Sequence, residues 1–567
     1  RTLMSRRFSI AIYAVTLAVF ACFLLLPVAE TLRGAFFDAG GRFTLSYLAE
    51  VFRNPVYLEG LGNSFLLALC VTVLATLLAL PLAWVSDRFL FPGKTLLGAL
   101  VLVPMILPPF VGAIGVRQIL GQQGALNALL ATLGLQDPSA PVDWLGTGQF
   151  WGVVLMISLN LYPVIYLNAS AALANIDPSM EEAAENLGCT GLRKFVRITL
   201  PLIMPGLFAG GTIVFIWSFT ELGVPLMFDF NRVTSVQVFN GIKDIGGNPF
   251  PYALVTVMLA SAVLLYAAGK LVFGRSAHAM MAKATSQGGP RDAGPLAGIA
   301  CAALFGSVFL IAVLPHIGVV LVALSNNWYG TILPDSFTLD HFEQALGHEL
   351  ALPSIRNSLK YASLAVAVDL VLGVAIAYVV VRTRLAGRQF LDALAMLPLA
   401  VPGLVLAFGY LAMTQEGKLF GFLNPVRDPL IILVIAYAVR RLPYVVRSAA
   451  AGFQQTSVAL EEAAQNLGAA PLRALRRVTL PLIAANLVAG ALLAFSFAML
   501  EVSDSLLLAQ RQEDYPITKA IYELDQLLGE GRYIASALGV WAMAFLATTI
   551  LGASIVLGKK LGAIFRV

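Results

Sequence analysis

One stretch of 23 residues occurs twice in the chain. Glu181–Ile203, EEAAENLGCTGLRKFVRITLPLI, returns as Glu461–Ile483, EEAAQNLGAAPLRALRRVTLPLI, with 15 identical positions at a constant offset of 280. A chain that repeats itself in this way is expected to build two similar bodies, each arranged around its own copy.

Each copy has the same local grammar. Asp177 is placed to cap a helix with Pro178 at its first position, and Glu181 and Glu182 lie near the positive end of that helix's dipole. Met180, Ala183, Ala184 and Leu187 follow at i, i+3, i+4 and i+7, which gives one apolar face kept thin by alanine. Gly188 is the stop. In the second copy Ser457 is the cap, Leu460, Ala463, Ala464 and Leu467 form the face, and Gly468 is the stop. A basic helix follows each glycine, with Arg193, Lys194 and Arg197 in one copy and Arg473, Arg476 and Arg477 in the other. Thr-Leu-Pro then leads into a long apolar run, so each copy reads as a helix-turn-helix lying at a membrane surface.

The membrane follows from composition. Hydrophobic residues make up 59% of the chain and charged residues 12%, with a mean hydropathy of +0.82. Soluble domains lie near 45–50% and 25%. The net charge of +5 therefore marks loop location rather than nucleic-acid binding. Cys22, Cys70, Cys189 and Cys301 show no paired spacing, and His278, His316, His341 and His348 no ligand spacing, so neither a disulfide frame nor a metal site is expected.

Apolar segments long enough to span fall near 8–28, 61–85, 95–117, 149–172, 202–222, 251–273, 294–323, 355–380, 389–412, 428–448, 482–503 and 533–558. The first is read as an uncleaved helix rather than a signal peptide. Asp87, Arg88 and Lys94 after span two, and Arg193, Lys194 and Arg197 after span four, put those loops and both termini inside. Phe43-Thr44-Leu45 matches Phe337-Thr338-Leu339, Asn63-Ser64 matches Asn357-Ser358, and Pro104 and Pro108 match Pro398 and Pro402, all at an offset of 294. Beyond span three the offset is 280, as in Pro163 with Pro443. An even number of spans separates the copies, so they are parallel repeats about an axis along the membrane normal, with the path on that axis. The expected fold is an all-α membrane protein of 12 transmembrane helices in two parallel six-helix repeats. The first half is 1–275 with its loop at 177–201, the linker 276–293 is cytoplasmic, and the second half is 294–567 with its loop at 457–481.

Glu-Ala-Ala, three residues, Gly, and then about ten to Ile/Val-x-Leu-Pro resembles the EAA loop of permease subunits of ATP-binding-cassette importers. The single fused chain with two loops is similar to the ferric-iron and thiamine branch, a group that also includes polyamine and sugar-phosphate importers. The resemblance implies a binding-protein-dependent importer permease of type I architecture in a bacterial inner membrane. Its partners would be two copies of a cytoplasmic ATP-binding subunit that carries ATP and Mg, and a periplasmic or lipoprotein substrate-binding protein. This chain itself would bind no cofactor. It also implies that Glu181, Glu182, Ala183, Ala184 and Gly188, with Glu461, Glu462, Ala463, Ala464 and Gly468, engage the ATPase. Ferric iron is the leading cargo, with thiamine, polyamine and sugar phosphate as alternatives.

Ionisable residues inside a bilayer are costly, by about 2.5–3.5 kcal/mol or more at the centre, and so mark candidate path residues. Glu221 and Glu501 are equivalent at the offset of 280 and either face each other across an outer gate or cap helix ends. Arg440 and Arg441, with Asn160 at the place of Arg440, either contact an anionic substrate or pair with Asp369. Pro104, Pro108, Pro109, Pro398, Pro402 and Gly403 are placed to break spans three and nine. Gly93-Lys94-Thr95 lacks the first glycine of a phosphate loop, since position 88 is Arg88, and no nucleophile-base constellation stands out, so no catalytic site is expected. A 12-span secondary transporter is the rival, on a faint loop match at Asp87-Arg88, yet it would need no helix-turn-helix after both span four and span ten.

Overall fold

The computed structural model describes residues 6–38, 40–105, 107–242, 245–277 and 291–557. Most of the expected linker 276–293, the N-terminal arginine Arg1 and the C-terminal Lys559, Lys560 and Arg566 lie outside these residues. Among the described residues the chain is almost wholly helical, with two two-stranded pairings as its sheet content.

Among the described residues, seven helices are long and apolar enough to cross a membrane: Phe8–Phe36, Pro55–Arg88, Thr147–Ala174, Gly191–Phe219, Phe250–Ala268, Pro295–Leu324 and Ala351–Arg382. Three bent pairs raise the number to ten if each is one span: Lys94–Met105 with Pro109–Thr132 at 94°, Arg388–Leu399 with Gly403–Met413 at 96°, and Pro471–Leu482 with Ala484–Met499 at 75°. The remaining two expected segments fall on the helices Leu430–Gln455 and Gly531–Leu557. The first of these carries Arg440, Arg441 and Arg447 along its length.

The first two bends fall at the prolines. Pro108 (φ −70°, ψ 114°) and Pro402 (φ −57°, ψ 137°) are extended, because a ring that lacks N–H and crowds the preceding turn cannot continue a helix. In hydrocarbon the carbonyls freed by such a break need donors. Asn160 supplies them, its Nδ2 donating to Pro104 O at 2.8 Å and Leu107 O at 3.3 Å.

The chain divides into two compact units that interleave the sequence halves: one holds 1–50, 239–256 and 342–567, the other 51–238 and 257–341. In the second unit Pro55–Arg88 packs on Phe150–Ala174 and Leu200–Phe219, and in the first Ala351–Arg382 packs on Leu430–Gln455 and Ala484–Met499. Each unit also takes in the opening helix of the other half. In the second unit Pro295–Leu324 lies so close to Pro109–Leu120 that a Cβ on Gly115 would sit 1.8 Å from Pro315 O. In the first unit Leu26–Phe36 lies on Gly403–Met413, and a Cβ on Gly409 would sit 2.6 Å from Pro27 O. Gly115 and Gly409 are equivalent at the offset of 294, so the same glycine admits the same close approach twice.

Candidate coupling surface and buried charge network

The repeated loops form the short helices Pro178–Asn186 and Val458–Asn466. Asp177 Oδ1 accepts from Ser179 N at 3.0 Å and Ser457 Oγ from Ala459 N at 3.3 Å, which satisfies orphan donors at each start. The stops are left-handed glycines, Gly188 at φ 79° and Gly468 at φ 88°. Behind them Cys189 N donates to Ala184 O at 2.9 Å and Ala469 N to Ala464 O at 3.0 Å, the six-to-one closure that a glycine in this conformation permits.

The apolar faces of these helices point away from the protein. Leu187 is 87% exposed and Leu467 90%, Met180, Ala183, Leu460 and Ala463 are also exposed, and Ala184 is turned in. Large apolar side chains held outward on a rigid turn have the character of a docking surface. Glu182 and Glu462 are exposed beside them.

Glu181 and Glu461 point the other way and are buried. Arg88, the last residue of Pro55–Arg88, meets both carboxylate oxygens of Glu181, and Thr199 Oγ1 donates to Glu181 Oε1 at 2.7 Å. Arg382, the last residue of Ala351–Arg382, donates from Nε to Glu461 Oε1 at 3.2 Å and from Nη2 to Thr456 O at 2.7 Å, with its guanidinium 5.6 Å from the Phe453 ring centre. Thr479, the counterpart of Thr199, is buried without a side-chain hydrogen bond. The same stretch is braced a second time, since Lys94 Nζ donates to Phe89 O at 2.9 Å and Arg388 Nη1 to Thr383 O at 2.7 Å. Arg88 with Arg382, and Lys94 with Arg388, are pairs at the offset of 294, which is the signal in the sequence that identifies them. Lys194 Nζ lies 2.6 Å from Glu185 Oε1, and this hydrogen bond and charge hold the exposed Glu185 carboxyl below its ordinary range.

The polar residues within the spans are engaged locally. Glu221 Oε1 accepts from Gly223 N at 3.1 Å and Val224 N at 3.3 Å, capping the helix Gly223–Met227. Its counterpart Glu501 accepts from Arg440 Nη1 at 2.5 Å and also from Arg441. Arg440 Nη1 reaches Asp504 Oδ2 at 3.3 Å, and Arg441 Nη2 donates to Phe497 O at 3.0 Å. Glu501 lies just before the helix Ser503–Leu508 and Asp504 in its first turn, three residues apart, and both meet Arg440. The arginines thus meet this pair by hydrogen bonds, and neither Asp369 oxygen accepts one. Two guanidiniums and two carboxylates balance in charge, the condition for burying them. At the helix break, Arg440 packs over Gly403, where a Cβ would sit 2.3 Å from its guanidinium. Asn160 holds the equivalent break in the first half.

At the end of the second span away from the short helices, the matched Asn-Ser pair of each half holds a later segment of that half. Asn63 Nδ2 donates to Arg232 O at 2.9 Å and Ser64 Oγ accepts from Thr234 N at 2.9 Å. Asn357 Nδ2 donates to Glu513 O at 2.8 Å and Ser358 Oγ accepts from Ile517 N at 2.7 Å. Among the described residues no group of three or more His, Cys, Asp or Glu is arranged to hold a metal ion.

The family match bears on these loops and repeats. Residues 72–280 and 369–555, one stretch in each half, match the binding-protein-dependent transport system inner membrane component. The chain is 27% identical to the ferric transport system permease protein of Actinobacillus pleuropneumoniae, over 87% of this chain and 70% of that one. It is 24% identical to an Fe(3+)-transport system permease protein of Haemophilus influenzae, over 82% and 84%. The bacterial alginate ABC transporter, solved in complex with a pentasaccharide-bound periplasmic protein, aligns over 49% of this chain and 95% of its own at 17% identity, with a TM-score of 0.36. The chain carries the family match twice, once in each half, and belongs to the binding-protein-dependent transport system inner membrane components, as a two-half ABC permease rather than an enzyme.

Proposed function

We propose that the chain is the membrane subunit of an ATP-driven ferric-iron importer, with six spans in each half, both termini in the cytoplasm and a separate ATPase docking on the two short helices. The observation that carries the coupling role is the paired geometry. In both copies one glutamate is tied inward to the end of a span while its neighbour and a leucine near 90% exposed face outward. A partner that moves this helix would therefore pull on a spanning helix directly. In this reading Glu182, Ala183, Leu187 and Gly188, with Glu462, Ala463, Leu467 and Gly468, form the docking surface, and Glu181 and Glu461 anchor it. Glu221, Glu501, Arg440 and Asn160 hold the walls of the path in shape. Ferric cargo is supported by the relatives over most of the chain, at 27% and 24% identity.

Reconstitution tests both parts. With its ATPase subunit, its binding protein and ATP in proteoliposomes, the chain is expected to take up Fe³⁺. Uptake driven by a proton or sodium gradient alone would overturn the proposal, and ATP-driven uptake of a different cargo would correct its substrate.

A further inference from the structure

We propose that Asp369 is a second seat for the Arg441 guanidinium, taken up when the short helix Val458–Asn466 draws Ala351–Arg382 along its neighbour, and that this exchange frees Glu501 from Arg441 during transport. The inference rests on the permease reading and deepens it by naming what the pull changes inside the membrane. Every residue involved lies in the unit that holds 342–567.

Asp369 is fully buried within Ala351–Arg382, and among the described residues neither of its carboxylate oxygens accepts a hydrogen bond. A buried polar group without a partner loses its hydration and gains nothing in return, so its retention calls for a state in which it is used. Arg441 has the complementary surplus. Its Nη2 donates to Phe497 O and meets Glu501, while its Nε is buried and donates to nothing among the described residues.

The two side chains face each other at one level. Ala351–Arg382 and Leu430–Gln455 run side by side toward the short helix, the first ending at Arg382, which donates to Thr456 O, and the second at Gln455. They pack at Gly373, where a Cβ would sit 2.8 Å from Val445 Cγ1 and 3.3 Å from Val446 N. One helical turn back from that contact, four residues along each helix, are Asp369 and Arg441. Both therefore lie on the faces that meet, about 20 Å from Arg382 at 1.5 Å per residue. They also occur together. At the offsets of 294 and 280 their counterparts are Ala75 and Leu161, so the half that lacks the acid lacks the arginine.

Arg382 ties the end of this span to Glu461, so a displacement of the short helix is delivered along Ala351–Arg382. Packed helices shift by small sliding movements, and Gly373 gives the seam no side chain to climb over. Such a shift brings the Asp369 carboxylate onto Arg441 Nε. Arg441 then exchanges Glu501 for Asp369 without being left as an unpaired charge in hydrocarbon, and Arg440 keeps Glu501 and Asp504. Asp369 is thus a positioning residue, acting through Arg441 rather than on cargo.

The test uses the full transporter with its ATPase subunit, compared free of nucleotide and trapped with ATP, Mg and vanadate. Asp369→Asn is expected to leave the melting temperature of the nucleotide-free protein at the parent value, because Asp369 makes no hydrogen bond in that state. It should lower ATP-dependent uptake at least ten-fold and diminish the rise in melting temperature that trapping gives the parent. Asp369→Glu should recover most of both. Asp369→Leu, which removes the buried polar group, should melt no lower than the parent without nucleotide and still lose uptake. A lower nucleotide-free melting temperature in both the Asn and the Leu variant would assign Asp369 a purely structural role and overturn the proposal. Parent-like uptake by Asp369→Asn, or an undiminished trapping shift, would overturn it as well. If the parent itself shows no ATP-dependent uptake of any cargo, the permease reading fails and takes this proposal with it.

Discussion

Arg382 Nε stands 3.2 Å from Glu461 Oε1 across 79 residues of sequence, and Arg88 meets Glu181 at the equivalent place in the other half. Each pair ties the last residue of a spanning helix to the first turn of a short helix whose opposite face is exposed. Side-chain exposure separates the two pairs: 5% and 3% for Arg382 and Glu461, against 29% and 5% for Arg88 and Glu181.

Removing one partner of a buried pair leaves the other charge uncompensated, at a cost of about 3–5 kcal/mol. Glu461→Gln is expected to lower local stability toward that range, and Glu181→Gln by about 1 kcal/mol, because Arg88 reaches water. Hydrogen exchange of the amides in Val458–Asn466 and Pro178–Asn186 checks this, and equal acceleration in the two helices would contradict it.

The glycine stops differ from the anchors in what they cost. A Cβ on Gly188 or Gly468 meets nothing within 4 Å, so the penalty of Gly188→Ala lies in the backbone alone, about 1–2 kcal/mol for a left-handed residue with a Cβ. Asparagine tolerates this conformation better. Gly188→Asn is expected to retain more ATPase association than Gly188→Ala, and Gly188→Pro to lose it while the protein still reaches the membrane. Co-purification with the ATPase subunit gives the order.

Glu221 and Glu501 hold equivalent positions in different surroundings, so the same substitution should read differently. Glu221→Gln weakens a helix cap, costing about 0.5–2 kcal/mol. Glu501→Gln leaves two guanidiniums in the membrane with Asp504 as their remaining carboxylate, costing about 3–5 kcal/mol. Thermal unfolding in detergent should show the larger fall for Glu501→Gln.

The Glu185–Lys194 pair carries a pH dependence. The carboxyl is depressed in the fold, so its contribution is present above the ordinary carboxylate range and is lost as pH falls through the depressed value. Hydrogen exchange in the 178–199 region, compared between the parent and Glu185→Gln after correction for intrinsic rates, should differ by a constant amount at neutral pH and converge only under strongly acidic conditions. Convergence between pH 6 and 8 would contradict the assignment.

What the sequence makes legible is local. The two caps, the two glycine stops and the proline breaks follow from residue chemistry within a few positions, and the duplication follows from the offset of 280. Periodicity defines an apolar face on Pro178–Asn186 but carries no information on whether protein or solvent meets it, so the inward turn of Glu181 depends on Arg88, 93 residues earlier. The exchange of opening helices between halves depends on Gly115 and Gly409, small residues that the chain shares with many ordinary packing positions. Arg440 and Arg441 read from the sequence as substrate contacts or, by preference, as partners of Asp369, and their engagement with Glu501 needs the turn at Ser503 to be folded.

The most direct test of the coupling claim is ATP-dependent uptake by the double variant Glu182→Lys with Glu462→Lys, two exposed positions whose charge reversal leaves the inward anchors intact. The account predicts parent-like membrane insertion and thermal stability together with at least a ten-fold loss of uptake and weakened ATPase association. Normal ATP-driven uptake by this variant would contradict it.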